Sequence, residues 1–257
     1  MLGSVRCRAV RALAGAVSGE GAARGGSAAA AAIPLLPLAG PSAQGRERAL
    51  SAAAAALREG GLVAVPTDTV YGIACLAQDS RALRAVYRLK ARDGAKPLAI
   101  CLADVGQVHR YCKVAVPDQL LHDLLPGPVT LVLERSQALN PDLNPFTPLV
   151  GVRVPDYWFV KELARMCGTP LALTSANISA QGSSLAVTEF QELWPHLALV
   201  VDGGPIGDLQ RPECRLGSTV VDLSVPGKFK VIRPGCALTQ TVEVLEKKHG
   251  LTAESPS

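Results

Sequence analysis

Apolar and polar residues alternate along this chain in blocks whose lengths predict both strands and helices. Short runs rich in Val, Ile, Leu and Ala, bounded by Pro, Gly or polar residues, are typical of buried strands. We predict strands at residues 62–65, 72–76, 98–102, 129–133, 149–154, 171–174, 197–201, 219–223 and 229–232. Helical patterns lie at residues 48–59, 80–89, 156–167 and 239–249, and a further helix opens at Pro117-Asp118. Because strands and helices intermingle throughout, we predict a single α/β domain with a largely buried, mixed sheet.

The first 46 residues differ in composition from the rest. They are rich in Ala, Gly and Ser, hold five Arg and a single Glu, and lack the alternation of a strand. This composition is typical of a mitochondrial presequence; the alternative is a low-complexity tail with no targeting function. We therefore expect a disordered segment at residues 1–46, a folded catalytic domain at 47–250 and a short tail at 251–257.

Charge and aromatic content restrict the classes of partner. The net charge of +4 lies in the N-terminal segment, so residues 47–257 are neutral overall, and the chain has only two Trp, four Tyr and four Phe. This argues against modules that bind nucleic acid through a basic surface with stacked aromatic rings. The most apolar long segment, residues 28–38, is interrupted by Pro34 and Pro37 and is too short to span a membrane.

Several common catalytic motifs are absent from the sequence. The seven Cys include no C-x-x-C pair and no companion His at zinc spacing. Most of them lie in apolar stretches, which favours free thiols in a reducing compartment. The P-loop, G-x-G-x-x-G, G-x-S-x-G and H-E-x-x-H patterns are missing, and the four His are scattered. We predict neither a His-based metal centre nor a catalytic triad.

Candidate chemistry lies where polar residues directly follow apolar strands, since ligands of α/β sheets bind at strand ends. Residues 65–72 (VPTDTVYG) and 171–179 (LALTSANIS) each run from a strand into hydroxyl, carboxylate or amide groups. Residues 89–98 (LKARDGAKPL) bring three cations to a glycine-containing loop, which suits a phosphate group. The alternatives are turns that satisfy their own backbone and, for 89–98, cations that neutralise a helix C-terminus.

Four further segments complete the pattern: 125–131 (LPGPVTL), 150–155 (VGVRVP), 217–222 (GSTVVD) and 231–235 (VIRPG). Among them Arg153 is the most informative residue. An Arg inside an apolar strand is costly to bury unless it meets an anion. That anion is either an internal carboxylate or a bound ligand.

In this order the motifs resemble those of the YrdC family from about residue 50 to about residue 240. The resemblance implies a twisted mixed α/β domain with a concave basic cleft. It also implies an enzyme that joins L-threonine, bicarbonate or CO2, and ATP into L-threonylcarbamoyladenylate and pyrophosphate. A separate tRNA threonylcarbamoyl transferase complex would then modify adenosine 37 of ANN-decoding tRNAs. Because tRNAs of both compartments need this modification, we expect the protein in the cytoplasm and the mitochondrion.

The resemblance also assigns site residues. The K-x-R and S-x-N signatures of the family fall on Lys90 with Arg92 and on Ser175 with Asn177. We expect Lys90 and Arg92 to be catalytic. The expected ATP-binding residues are Lys90, Arg92, Lys96, Thr130, Ser175, Asn177 and Arg233. The expected threonine-binding residues are Thr67, Arg153 and Ser218. Mg²⁺ would arrive with ATP, held mainly by phosphate oxygens and water.

Two features depart from the family pattern. Asp68 stands where many relatives have Glu, and the chain stops shortly after Arg233, as expected of a short, single-domain form. One alternative function is a non-catalytic RNA-binding YrdC module, and another is carbamoyl transfer of the hydrogenase-maturation type, which needs further domains. The neutral composition of residues 47–257 and the intact signatures favour the synthase, with at most weak binding of RNA.

Overall fold

Strands and helices follow one another along the folded chain. The computed structural model describes residues 34–38, 43–90, 97–177 and 182–254, which all lie in one compact unit. The strands are β1 (Leu35–Pro37), β2 (Val63–Val65), β3 (Gly72–Leu76), β4 (Ala99–Cys101), β5 (Cys112–Lys113), β6 (Val129–Arg135), β7 (Leu149–Arg153), β8 (Leu171–Ser175), β9 (Leu199–Asp202), β10 (Thr219–Asp222), β11 (Lys228–Arg233) and β12 (Thr252–Ala253). The helices are α1 (Ala43–Arg58), α2 (Ser80–Leu89), α3 (Val108–Tyr111), α4 (Asp118–Leu124), α5 (Trp158–Cys167) and α6 (Leu238–Glu243).

The strands form one mixed sheet, which confirms the predicted fold class. Within the described residues the order is β1-β9-β2-β3-β8-β4-β7-β6-β10-β11-β12, and β5 pairs with β6. β4 pairs with β7 in parallel, as β6 does with β10, whereas the β3–β8, β8–β4 and β7–β6 pairs are antiparallel. No helix in these ranges is both long and apolar enough to cross a membrane.

Side-chain alternation along the strands divides the sheet into a filled face and a partly open one. On β4, Ile100 is fully buried in the larger core, together with residues of α2 and α4. Its neighbour Cys101 points the other way and belongs to the smaller core beneath α1 and α5. Ala99 shares the face of Cys101 but is only half-buried and lines a cleft. α1 and α5 therefore cover one part of this face and leave another part open.

Local signals explain where the helices begin and end. α2 is capped by Asp79, whose Oδ1 accepts the backbone N–H groups of Arg81 (2.8 Å) and Ala82 (3.2 Å). The predicted N-cap, Ser80, is instead the first helical residue, because the Asp79 side chain already caps the first amides of the helix. α5 ends at Gly168, which has a φ of +68° in the left-handed region that favours glycine.

The folded part extends beyond both predicted boundaries. β1 pairs in parallel with β9, and α1 begins at residue 43, so the boundary predicted at residue 47 falls inside a helix. At the other end Leu251 is buried and β12 pairs with β11, so part of the predicted tail belongs to the fold. Residues 1–33 lie outside the described residues. The predicted helix at 239–249 corresponds to α6 followed by a π-helical turn, Val244–Lys248.

Candidate functional site

The open part of the sheet forms a cleft of about 350 Å³. Its floor consists of residues from β4, β6, β7, β8 and β10, and its walls come from the turn after β2 and from the end of β11. Most of the predicted site residues line it: Thr67, Thr130, Arg153, Ser175, Ser218 and Arg233. Lys90 and Asn177 contact Ser175 but are not among the residues that line the cleft. Arg92 and Lys96 lie outside the described residues.

Arg153 forms an internal ion pair at one end of the cleft. Its Nη2 donates to Oδ1 of Asp68 (2.6 Å) and to the Thr69 hydroxyl (3.3 Å), and both members of the ion pair are more than 90% buried. Oδ2 of Asp68 accepts the backbone N–H of Asp156 (3.0 Å). Nε of Arg153 is buried and has no hydrogen-bond partner within the described part of the chain. The family resemblance assigns Arg153 to the threonine carboxylate, with an internal carboxylate as the alternative; the structure shows such an internal partner, Asp68.

Thr67 holds the turn that carries Asp68. Its hydroxyl donates to the Val70 carbonyl (2.7 Å) and accepts the N–H groups of Thr69 and Val70 (both 3.2 Å). This is a side-chain-to-backbone turn, the alternative considered for residues 65–72. Thr69, which the sequence analysis did not single out, also lines the cleft and contacts the Arg153 guanidinium.

Ser218 connects two strands beside Arg153. Its hydroxyl lies 2.8 Å from that of Thr130 on β6. Nη2 of Arg233 donates to the Ser218 carbonyl (2.8 Å) and hydroxyl (3.1 Å). Burial lowers the pKa of Arg233 below its usual value, and the nearby Arg153 lowers it further. Two guanidinium groups and the Asp68 carboxylate therefore leave this end of the cleft net positive, which suits an anionic ligand.

A glycine is required just after β11, where the chain passes close to the backbone of Ser218. A Cβ at Gly235 would lie 2.3 Å from the Ser218 carbonyl carbon and 2.3 Å from the Thr219 nitrogen. Any larger residue would displace the backbone that carries the Ser218 hydroxyl. The glycine of the R-P-G segment is therefore explained by the close approach of its backbone to that of Ser218, and not by a turn conformation that only glycine adopts.

Lys90 brings the two family signatures together. Its side chain is buried, and Nζ donates to the Ser175 carbonyl (3.0 Å), to the Asn177 carbonyl and to Oδ1 of Asn177 (3.0 Å). The Ser175 hydroxyl donates to the same Oδ1 (2.6 Å). The C-terminal end of α2 is thereby fixed against the end of β8, and Lys90 shapes the segment that carries Ser175.

Tyr71 supports the cleft from the core. Its N–H donates to the Ser184 carbonyl (2.9 Å), and its own carbonyl accepts the N–H of Ala176 (2.8 Å). The Ser184 hydroxyl donates to the Ala176 carbonyl (2.6 Å). The Tyr71 hydroxyl donates to the Gly204 carbonyl (2.8 Å), and burial raises the pKa of Tyr71 well above its usual value. Sequence reasoning missed this role because every partner lies more than 100 positions away along the chain.

A bidentate ion pair fixes the neighbouring wall. Nη1 and Nη2 of Arg215 donate to Oε2 (2.8 Å) and Oε1 (2.9 Å) of Glu189. Nη1 also donates to the carbonyl of Ser183 (3.0 Å), which lines the cleft. Oε2 of Glu189 accepts the Leu185 N–H (2.9 Å), and the hydrogen bonds from Arg215 lower the pKa of Glu189 to about 2.

The described residues offer no grouping of three or more His, Cys, Asp or Glu that could hold a metal ion. The carboxylate that lines the cleft, Asp222, accepts the Ser224 N–H (2.8 Å) through Oδ1. Any divalent ion in this cleft would need most of its ligands from a bound substrate or from water.

Comparison with known proteins identifies a family and relatives with a named activity. The Sua5/YciO/YrdC family model, described as "Telomere recombination", matches residues 55–235. The chain is 67% identical over 213 residues to the threonylcarbamoyl-AMP synthases of Mus musculus and Homo sapiens, and the match covers 83% of this chain and 76% of each relative. A solved structure of Sua5 from Pyrococcus abyssi, complexed with L-threonine, superposes with a TM-score of 0.70 at 28% identity, covering 86% of this chain and 62% of that one.

Proposed function

This chain belongs to the Sua5/YciO/YrdC family, and we propose that it is a threonylcarbamoyl-AMP synthase. The observation that carries the proposal is the 67% identity to two mammalian enzymes of that name over 213 residues. The family model matches residues 55–235, which include every residue named above as lining the cleft. The fold comparison supports it, since a structure of similar fold was obtained as a complex with L-threonine. The reaction is a nucleotidyl transfer that supplies an adenylate for tRNA modification.

The chemistry needs no nucleophile from the protein. The amine of L-threonine attacks CO2, loses a proton and becomes a carbamate, and a carbamate oxygen then attacks the α-phosphorus of ATP. One P–O bond forms, the bond to the β-phosphate breaks, and pyrophosphate leaves. Both reactants are anions, so the protein must neutralise charge and align them.

The Arg153 end of the cleft suits the amino acid. The guanidinium has five N–H donors, and Asp68 and Thr69 use donors of Nη2, so further donors are available to the threonine carboxylate. Asp68 holds the guanidinium in place. The hydroxyls of Thr69 and Ser218 lie at the same end for the polar groups of the substrate, and Thr67 acts through the turn that it stabilises.

The Ser175 end suits the nucleotide. Ser175 lines the cleft and would contact ATP directly. Lys90 and Asn177 would hold Ser175 in place, and Lys90 would add positive charge near the phosphates. We assign Arg92 and Lys96 to the triphosphate. Arg233 and Thr130 contact Ser218 at the Arg153 end, from which they can stabilise negative charge that develops at the α-phosphorus.

Mg²⁺ would enter with ATP. Its ligands would be phosphate oxygens and water, since the described residues provide no carboxylate cluster for it. When bound, the ion neutralises charge on the phosphates. The adenylate would pass to a tRNA threonylcarbamoyl transferase complex, and direct RNA contact would be weak. A purely RNA-binding role is disfavoured because relatives sharing two thirds of the residues are named as synthases.

The test is incubation of the full chain with ATP, L-threonine and bicarbonate. We expect pyrophosphate release and a product with the mass of L-threonylcarbamoyladenylate, both dependent on threonine and bicarbonate. Omission of MgCl2 should abolish turnover. Pyrophosphate release at the same rate without threonine would contradict the proposed reaction.

A further inference from the structure

A buried asparagine links three parts of the chain beside the cleft. Asn144 is fully buried in the loop between β6 and β7. Its Nδ2 donates to the Leu98 carbonyl (2.9 Å) and its Oδ1 accepts the Leu98 N–H (2.8 Å), so one side chain satisfies both backbone groups of one residue. The Tyr87 hydroxyl of α2 donates to Oδ1 of Asn144 (3.2 Å) and accepts its N–H (2.8 Å).

The position of Leu98 explains why an amide is needed there. The ladders of β4 with β7 and β8 begin at Ala99, so Leu98 is one residue outside them although it is buried. Buried backbone groups without a partner are costly, and Asn144 supplies both partners that a strand would otherwise provide. Asn144 has a φ of +49°, a left-handed conformation that Asn tolerates better than most residues.

The network joins two stretches of the chain that line the cleft. Residues 97–99 line the cleft, and so do Thr147 and Leu149, which follow Asn144 shortly along the chain. The two stretches are neighbours, because Ala99 pairs with Gly151 in the β4–β7 ladder. Ala99 pairs with Leu173, two residues before Ser175. This part of the cleft lining therefore lies near Ser175 and away from the end of β4, where Cys101 pairs with Arg153.

We propose that Asn144 is a positioning residue for the nucleotide: it fixes residues 97–99 against residues 147–149 and thereby sets the shape of the ATP end of the cleft. The proposal rests on the proposed function, because it takes ATP as the ligand of the Ser175 end. Asn144 acts through Leu98 and touches no reacting atom.

The test is calorimetric binding of ATP and of L-threonine, each to the full chain, at a temperature below the unfolding transition. For Asn144→Ala we expect ATP affinity to fall by about tenfold, threonine affinity to change less than about twofold, and KM for ATP to rise more than kcat falls. Asn140→Ala is the matched control. It removes another amide of the same loop, which contacts Ser80 rather than the cleft wall, and should leave both affinities unchanged.

The outcomes separate this proposal from its alternatives. Unchanged ATP affinity in folded Asn144→Ala would overturn the proposal, and so would equal losses of ATP and threonine affinity. Replacing a purely stabilising residue lowers the melting temperature but does not change the ligand selectivity of the molecules that remain folded. If Asn144→Ala does not fold, Tyr87→Phe replaces it as the test, because it removes only the hydroxyl. We expect this variant to lose ATP affinity selectively and by a smaller factor. An unchanged ATP affinity, or an equal loss of threonine affinity, would count against positioning. Failure of the unmodified chain to bind ATP would contradict the proposed function instead.

Discussion

At the residue scale, the pair Asp68–Arg153 determines how threonine binding can be tested. Arg153→Ala removes the expected carboxylate contact, so threonine affinity should fall by roughly ten- to a hundred-fold, as the loss of about 1.5–3 kcal/mol predicts. ATP affinity should change little. The same variant leaves the buried Asp68 charge without its partner, which typically costs about 3–5 kcal/mol of stability.

The double variant Asp68→Asn with Arg153→Ala separates binding from folding. It removes the uncompensated charge, so thermal unfolding should return toward that of the unmodified chain while threonine binding stays weak. Recovery of threonine affinity in the double variant would show that Arg153 acts only through stability. Arg153→Lys should rescue poorly, because a point charge cannot contact Asp68 and a carboxylate in the same geometry.

Gly235 gives a steric prediction at the same scale. Gly235→Ala should destabilise the chain by about 1–3 kcal/mol, as overpacking does, and weaken threonine binding, because the added Cβ displaces the Ser218 backbone. Gly182→Ala is the control, since among the described residues its Cβ would meet no atom closer than 3.9 Å. Thermal unfolding and calorimetry of both variants check this. A Gly235→Ala chain as stable as the control would contradict the steric argument.

The residue scale also shows what the sequence could reveal about the site. Arg153 was identifiable because a cation in an apolar strand is costly, but its partner Asp68 is 85 positions away and no local pattern connects them. Thr67 and Thr69 both line the cleft, and the contact of Thr69 with Arg153 could not be predicted because it depends on the geometry of the turn. Lys90 was identified from its motif, but its contact with Asn177 depends on how α2 docks on β8.

At the scale of elements, the Glu189–Arg215 pair predicts a pH dependence. The pKa of Glu189 is lowered to about 2, below its ordinary value near 4.5, so its contribution to stability is present above pH about 4.5 and is lost as the pH falls toward 2. Glu189→Gln should be less stable at neutral pH, and its stability should converge with that of the unmodified chain near pH 2. Urea unfolding between pH 2 and pH 7 measures the difference. A constant difference across this range would be inconsistent with the ion pair.

Strand and helix predictions were most accurate where glycine, proline or polar residues mark the ends of an apolar run. β3 and α2 begin and end where the pattern placed them, because glycine, aspartate and serine mark their ends. β1 was missed because Pro34 and Pro37 bound a run of only two leucines, which in sequence indicates a loop. Proline is tolerated in a strand at a sheet edge, where no further neighbour needs its N–H. That context arises only when β9 has folded beside it.

At the scale of the whole molecule, the composition of the N-terminal segment predicts the subcellular localisation of the protein. We propose that residues 1–33, which precede β1, direct part of the protein to mitochondria, because they contain several Arg and a single acidic residue. A fluorescent reporter fused after residue 33 should localise to mitochondria, and replacing Arg6, Arg8 and Arg11 with Ala should make it diffuse. A diffuse signal from the unaltered segment would refute the targeting role. We expect a cytoplasmic pool of the full protein as well.

The proline-bounded strand β1 also limits where such a segment can be removed by proteolysis. β1 covers the outer side of β9, and Leu38 adds a further backbone hydrogen bond to Asp202 (2.6 Å). A chain that starts at residue 34 keeps this cover and should stay monodisperse in light scattering. A chain that starts at residue 43 exposes the N–H and C=O groups of β9, a template for intermolecular pairing, and should aggregate on warming. We therefore propose that proteolytic removal of the targeting segment would occur before Pro34.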